Sequence, residues 1–135
     1  MSSVSGLAVH VAMWRFNNRA GAPWSEERRR TVMSLSDHCE AVVRYVADEY
    51  VRGAMLSSLQ TAQGWALGVF DEDDVLDVLS MADSVAHHRR SEYKNDDDDA
   101  LVAVNCVLAV AGSECPSADA LVCLHCVEEI LRRNA

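Results

Sequence analysis

The chain has 135 residues, half of them hydrophobic and 24% charged, a composition that excludes a disordered tail and leaves room for one domain. Lys and Arg number 12 against 21 Asp and Glu, a net charge of −9, which argues against duplex nucleic acid or an anionic membrane as the main partner, because both repel an acidic surface. The basic residues are concentrated early, at Arg15, Arg19, Arg28, Arg29 and Arg30, so the acidic excess belongs to the remainder of the chain.

Gly6 to Met13 is apolar, but no basic residue precedes it and His10 interrupts it, so it does not read as a signal peptide. Leu7, Val11 and Trp14 at i, i+4, i+7 predict an amphipathic helix from about Ser5 to Asn18. The stretch from Asn17 to Pro23, with Gly21, breaks it and leaves Trp24 as a partly exposed contact residue. Ser25, Glu26 and Glu27 suit the start of a second helix. From there Val32, Leu35, Cys39, Val42, Val46 and Tyr50 recur at spacings of three and four. Ser34, Ser36 and Asp37 mark an expected kink, with Asp37 and Glu40 as the capping box of the second piece. Arg28, Arg29 and Arg30 read as a solvated basic face, or as a surface that pairs with the acidic remainder.

The helical pattern continues from Arg52 to Leu67 through Met55, Leu59, Ala62 and Ala66, with Gly68 as its C-terminal cap. The next helix has acids at its start, Asp71 to Asp74, and His87, His88, Arg89 and Arg90 at its end, as the helix dipole favours. Its stripe is Val75, Leu79, Ala82 and Ala86. Glu92 to Asp99 reads as a polar loop ending in four aspartates. Leu101 to Ala111 is apolar nearly all round, which predicts a central helix, and the run from Ala100 to Gly112 is too short to span a bilayer. After a turn at Gly112 to Pro116, a last helix from about Ser117 to Arg133 carries Leu121, Leu124, Val127 and Leu131 on one side. The expected architecture is all-α: a single domain over residues 1–135, built as a bundle of five to seven helices around a central apolar helix at about 100–111.

Without an export signal the expected compartment is the cytoplasm, and the five cysteines, an odd number, are then thiols. Cys123 and Cys126 form a C-x-x-C that would bind zinc only if Cys39, Cys106 or Cys115 joined it, and no second close pair exists, so no metal and no cofactor are expected. Neither acidic run has the alternation, glycine and terminal glutamate of a calcium loop. Neighbours such as His87 and His88, or His38 and Cys39, point to different sides of a helix, so neither pair makes a ligand set or a nucleophile. Phosphate loops, dinucleotide fingerprints and nucleophile elbows do not occur.

The stretch from Ala54 to Ala86, with Ala62, Trp65, Gly68, Asp73, Val75, Leu79, Ala82 and Ala86, resembles the helix-glycine-helix hairpin of immunity proteins from polymorphic toxin systems, and also looks like helical accessory proteins of phages. It covers about a quarter of the chain and departs from the alanine-rich pattern after Ala86, so no functional residue is carried over. The resemblance implies a protein that binds and neutralises another.

The expected function is therefore a non-enzymatic interaction module, an inhibitor or immunity-type protein that meets a basic protein surface. Its expected contacts are Asp71, Glu72, Asp73, Asp74 and Asp77, Asp96, Asp97, Asp98 and Asp99, and Trp24. Two alternatives stand beside it: a homo-oligomeric component joined by its basic end to acidic surfaces, and a thiol or zinc regulatory module at Cys123 and Cys126.

Overall fold

The computed structural model describes residues 26–89, 95–112 and 116–135; the expected helix from Ser5 to Asn18, the break that follows it, Ser25 and Trp24 lie outside them. Five helices of 18 residues occupy the described residues: α1 (Glu26–Val43), α2 (Glu49–Ala66), α3 (Glu72–Arg89), α4 (Asn95–Gly112) and α5 (Pro116–Arg133). The all-α bundle expected from periodicity is present, with α4 as its hub. α4 packs on every other helix, and α3, α2, α1 and α5 follow one another around it. Among the described residues no backbone contact joins α3 to α5, so the ring is open on that side. No helix among them is long and apolar enough to cross a membrane.

The hub is built for this position. Ala100, Ala103, Val104, Val107, Leu108, Val110 and Ala111 are all buried, and the alanines let neighbouring backbones approach. α1 contributes Val32, Leu35, Cys39, Val42 and Val43, and α2 contributes Val51, Met55, Leu59, Ala62 and Trp65. Leu59, Ala62 and Trp65 are fully removed from solvent, a buried leucine such as Leu59 giving about 1.5–3 kcal/mol of transfer free energy.

Four expectations are corrected. α1 runs unbroken from Glu26 to Val43, with no kink at Ser34 to Asp37. The interruption falls instead after Val43, where Tyr45 and Val46 donate to Val42 and Val43 and Asp48 caps α2 by accepting from the amides of Tyr50 (2.9 Å) and Val51 (3.2 Å). Tyr50, which continues the spacing of the α1 stripe, is accordingly 63% exposed. Asn95 to Asp99 form the first turn of α4 rather than the end of a loop. Placing acids there complements the positive end of the helix dipole. On α5 the buried line is Ala120, Cys123, Leu124, Val127 and Ile130, so Leu131 sits at the exposed edge.

The fourth correction concerns the arginine triplet, which is not one solvated face. Arg28 is buried, and its guanidinium donates to the carbonyls of Val110 and Ala111, both at 3.2 Å, in the last turn of α4. Arg29 lies over the ring of Trp65 at 5.6 Å, and only Arg30 stays in solvent, paired with Glu26. The last turn of α4 holds no basic residue of its own, so Arg28 supplies from α1 the cation that the carbonyl end of that helix needs.

Replacing Arg28 with alanine should lower the stability by about 2–3 kcal/mol, because two buried carbonyls lose a charged donor. The same change at Arg30 removes one exposed i, i+4 pair and should cost no more than about 0.5 kcal/mol, so equal urea midpoints for the two variants would contradict this role for Arg28.

Candidate functional site

The turn between α2 and α3 leads into the helix that forms one wall of the open side. Gly68 takes φ of +81°, a left-handed conformation that closes α2, with its amide donating to the carbonyl of Trp65 at 3.0 Å. The amides of Val69 (2.7 Å) and Phe70 (3.3 Å) both donate to the carbonyl of Gly64. The ring of Phe70 lies over Gly64 so closely that a Cβ there would collide with it. The turn thus holds Leu67 and Val69 in solvent, 69% and 71% exposed, with Phe70 at 42%. Asp71 and Asp74 then exchange hydrogen bonds, each backbone amide donating to the other's carboxylate at 3.0 Å, and this reciprocal cap starts α3.

Beyond the cap, the gap between α3 and α5 forms a groove of about 280 Å³. Leu108, Ala109 and Ala111 of the hub form its floor, and Val75, Leu76 and Leu79 its α3 wall. Leu76 is 55% exposed although it faces this apolar cleft. A carboxylate stands on each side, Glu72 from α3 and Asp119 from the first turn of α5. One oxygen of Glu72 is buried with no hydrogen-bond partner, and the charge of Glu72 partly offsets the desolvation that lowers the pKa of Arg28. The arrangement is an apolar trough between two acids. It suits a side chain with an aliphatic stem and a cationic head, or a short amphipathic segment carrying one.

The expected contact residues divide. Asp71 just before α3 and Asp73, Asp74 and Asp77 on it are exposed, and Glu72 is half-buried at the groove. Asp98 is exposed, but Asp97 is 1% exposed and accepts from the amide of Ala47, so it is a structural group and not a contact. Asp99 pairs with Arg133, joining the start of α4 to the end of α5. The side chain of Asp96, like Trp24, lies outside the description. The two acidic runs are also apart: one starts α4, while the other flanks the groove near Ala111, about 18 Å of helix away. Leu76, Leu108, Asp119 and the Leu67 to Phe70 turn were not expected. An aromatic and two aliphatic residues set among turn residues were the only signal for the last of these.

The cysteines read differently. Cys39 and Cys123 are fully buried with their sulfurs 3.5 Å apart, one sulfhydryl donating to the other. The bond to Cys39 and burial hold the Cys123 proton well above the ordinary thiol range. Burial, then Asp99, pushes Cys126 up to about 11, and burial with the neighbouring Cys123 thiol pushes Cys106 up to about 12. His125 is exposed, and His38 donates through Nδ1 to the Ser34 carbonyl at 2.7 Å. Among the described residues no three His, Cys, Asp or Glu side chains come together in a way that could hold a metal ion, and Cys115 lies outside them. No protein-family model matches the chain, and no curated protein or solved structure is significantly similar to it.

The raised thiol values have a measurable consequence. With its proton held to about 11 instead of 9.0, Cys126 should be alkylated at about pH 8 roughly a hundredfold more slowly than an ordinary exposed thiol. The stability linked to Cys106 and Cys126 is present below 9.0 and is lost as pH climbs toward 11 and 12, since the folded state holds the protons longer. An ordinary alkylation rate at Cys126, measured by peptide mass spectrometry, would show that burial does not control it.

Proposed function

We propose that this chain is a non-enzymatic protein-binding domain of inhibitor or immunity type, and that it takes a basic element of its partner into the groove between α3 and α5. The observation that carries the reading is the side of the helical ring that is open among the described residues. Leu108, Ala109 and Ala111 of the hub line it between Glu72 and Asp119, with Leu76 exposed on its α3 wall. Asp73 and Asp77, exposed on α3, neighbour the groove residues Glu72 and Leu76 in sequence. A desolvated apolar centre with a charged rim is the usual anatomy of a tight protein interface. The acids add speed and selectivity, because they steer a basic partner and repel an acidic one.

The structure of the arginine triplet bears on the oligomeric alternative as it was first framed. Arg28 is buried inside the fold, which leaves Arg30, exposed beside Glu26, as the solvated member of the triplet. A basic protein partner is the reading favoured by the groove.

The test uses the full chain as bait in its native lysate, with two variants at solvent-exposed or half-exposed positions, Leu76→Ser and Asp119→Asn. A basic protein retained by the parent should bind each variant at least about tenfold more weakly, the loss of one central apolar or charged contact. Its association should also slow at least about tenfold between 0.05 and 0.5 M salt. A partner that ignores salt and both substitutions, or a chain that only binds itself through this groove, would sink the proposal.

A further inference from the structure

Cys39 on α1 and Cys123 on α5 are the described cysteines whose sulfurs touch, at 3.5 Å, and they belong to two helices that pack directly on each other. Both are fully buried and neither is used by the proposed groove. A disulfide needs about 2.05 Å between the sulfurs, so this pair has to close by about 1.5 Å, within the range of side-chain rotation and a small helix shift. Cys123 and Cys126, three apart on one helix, join nothing that the helix does not already hold together. From these observations the geometry points to a redox-closable link: Cys39 and Cys123 form a disulfide that straps α1 to α5 when the protein meets hydrogen peroxide.

The chemistry balances in two steps. One sulfur of the pair, as thiolate, attacks an oxygen of the peroxide; the O–O bond breaks, a sulfenic acid forms, and the departing oxygen leaves as water after taking up protons. The second sulfur attacks the sulfenic sulfur; the S–S bond forms, the S–O bond breaks, and a second water leaves with the remaining proton. Two thiols are oxidised by two electrons in total, and one peroxide is reduced to two waters. Both sulfhydryls are shielded from solvent in the closed bundle, so the first step waits for a transient separation of α1 and α5. Once made, the link closes a loop between positions 84 residues apart and restricts the unfolded chain more than the folded one.

The experiment treats the full chain with hydrogen peroxide, once in native buffer and once in urea just below the unfolding transition, where helix separation is frequent. Remaining thiols are then alkylated under denaturing conditions and the peptides mapped by mass spectrometry. The expected product is the peptide pair holding Cys39 and Cys123, lighter by two hydrogen atoms, with a higher urea midpoint that dithiothreitol reverses. The variants Cys106→Ser and Cys126→Ser should still form it, and Cys39→Ser should not. Complete alkylation of all five cysteines in both conditions, a dominant link that omits Cys39, or a link that leaves the midpoint unchanged would each overturn the proposal.

Discussion

The bundle depends on a charge that a helical core would ordinarily exclude. Arg28 is buried at the first turn of α1, and its guanidinium sits on the carbonyl end of α4, which brings no cation of its own. Desolvation works against this, lowering the pKa of the group, and the nearby carboxylate of Glu72 gives part of that back. The gain is specificity of register. A guanidinium that must reach two particular carbonyls allows α1 to slide neither along nor around the hub. At the other end of the same pair of helices the geometry is mirrored in chemistry. Buried Asp97 at the start of α4 accepts from the Ala47 amide just past the end of α1. Two antiparallel helices are therefore pinned at both ends by polar groups, with apolar packing between.

From that pin the rest of the arrangement follows. α2 is bound to α1 by the short, capped connection at Asp48 and by the Gln63 amide donating to Glu40 at 2.7 Å. α3 is bound to α2 by the Gly68 turn, and α5 folds back on α4 with Arg133 reaching Asp99. Short connections place each helix beside its chain neighbour, and in a ring around one hub the first and last of the outer helices need not meet. Among the described residues they do not meet, and the hub residues Leu108, Ala109 and Ala111 line the groove on that side. The acids along α3 then split by role: Asp71 and Asp74 spend a carboxylate oxygen each on the helix cap, while Asp73 and Asp77 point to solvent.

Much of this was legible in the residues. Gly68 as a cap, acids opening α3, and an apolar hub near residues 100–111 all rest on strong local signals, and each is where the spacing put it. Two of the errors share one cause, which is reading charge as exposure. Arg28 lies on the same three-and-four spacing as Val32, Leu35 and Cys39, and Asp97 on that of Ala100, Val104 and Val107. Both belong to buried stripes, and their partners sit too far along the chain for any local pattern to reveal. The break before α2 was hidden for the opposite reason. Val46 and Tyr50 continue the apolar spacing through it, and only Asp48, a good cap two residues before Tyr50, betrays the new start. The groove was out of reach altogether, because it arises from two helices that fail to touch.

The pin at Arg28 also orders events at the ribosome. Its acceptors, Val110 and Ala111, lie 82 and 83 residues later, so α1 leaves the exit tunnel long before the surface that receives its guanidinium exists. Until α4 emerges, α1 and α2 can pair only through their shared face, and the sides that will meet the hub stay wet. The contact that fixes the register of α1 on the hub thus forms only after the chain has been made as far as Ala111, which ties closure of the core to a contact of long sequence separation.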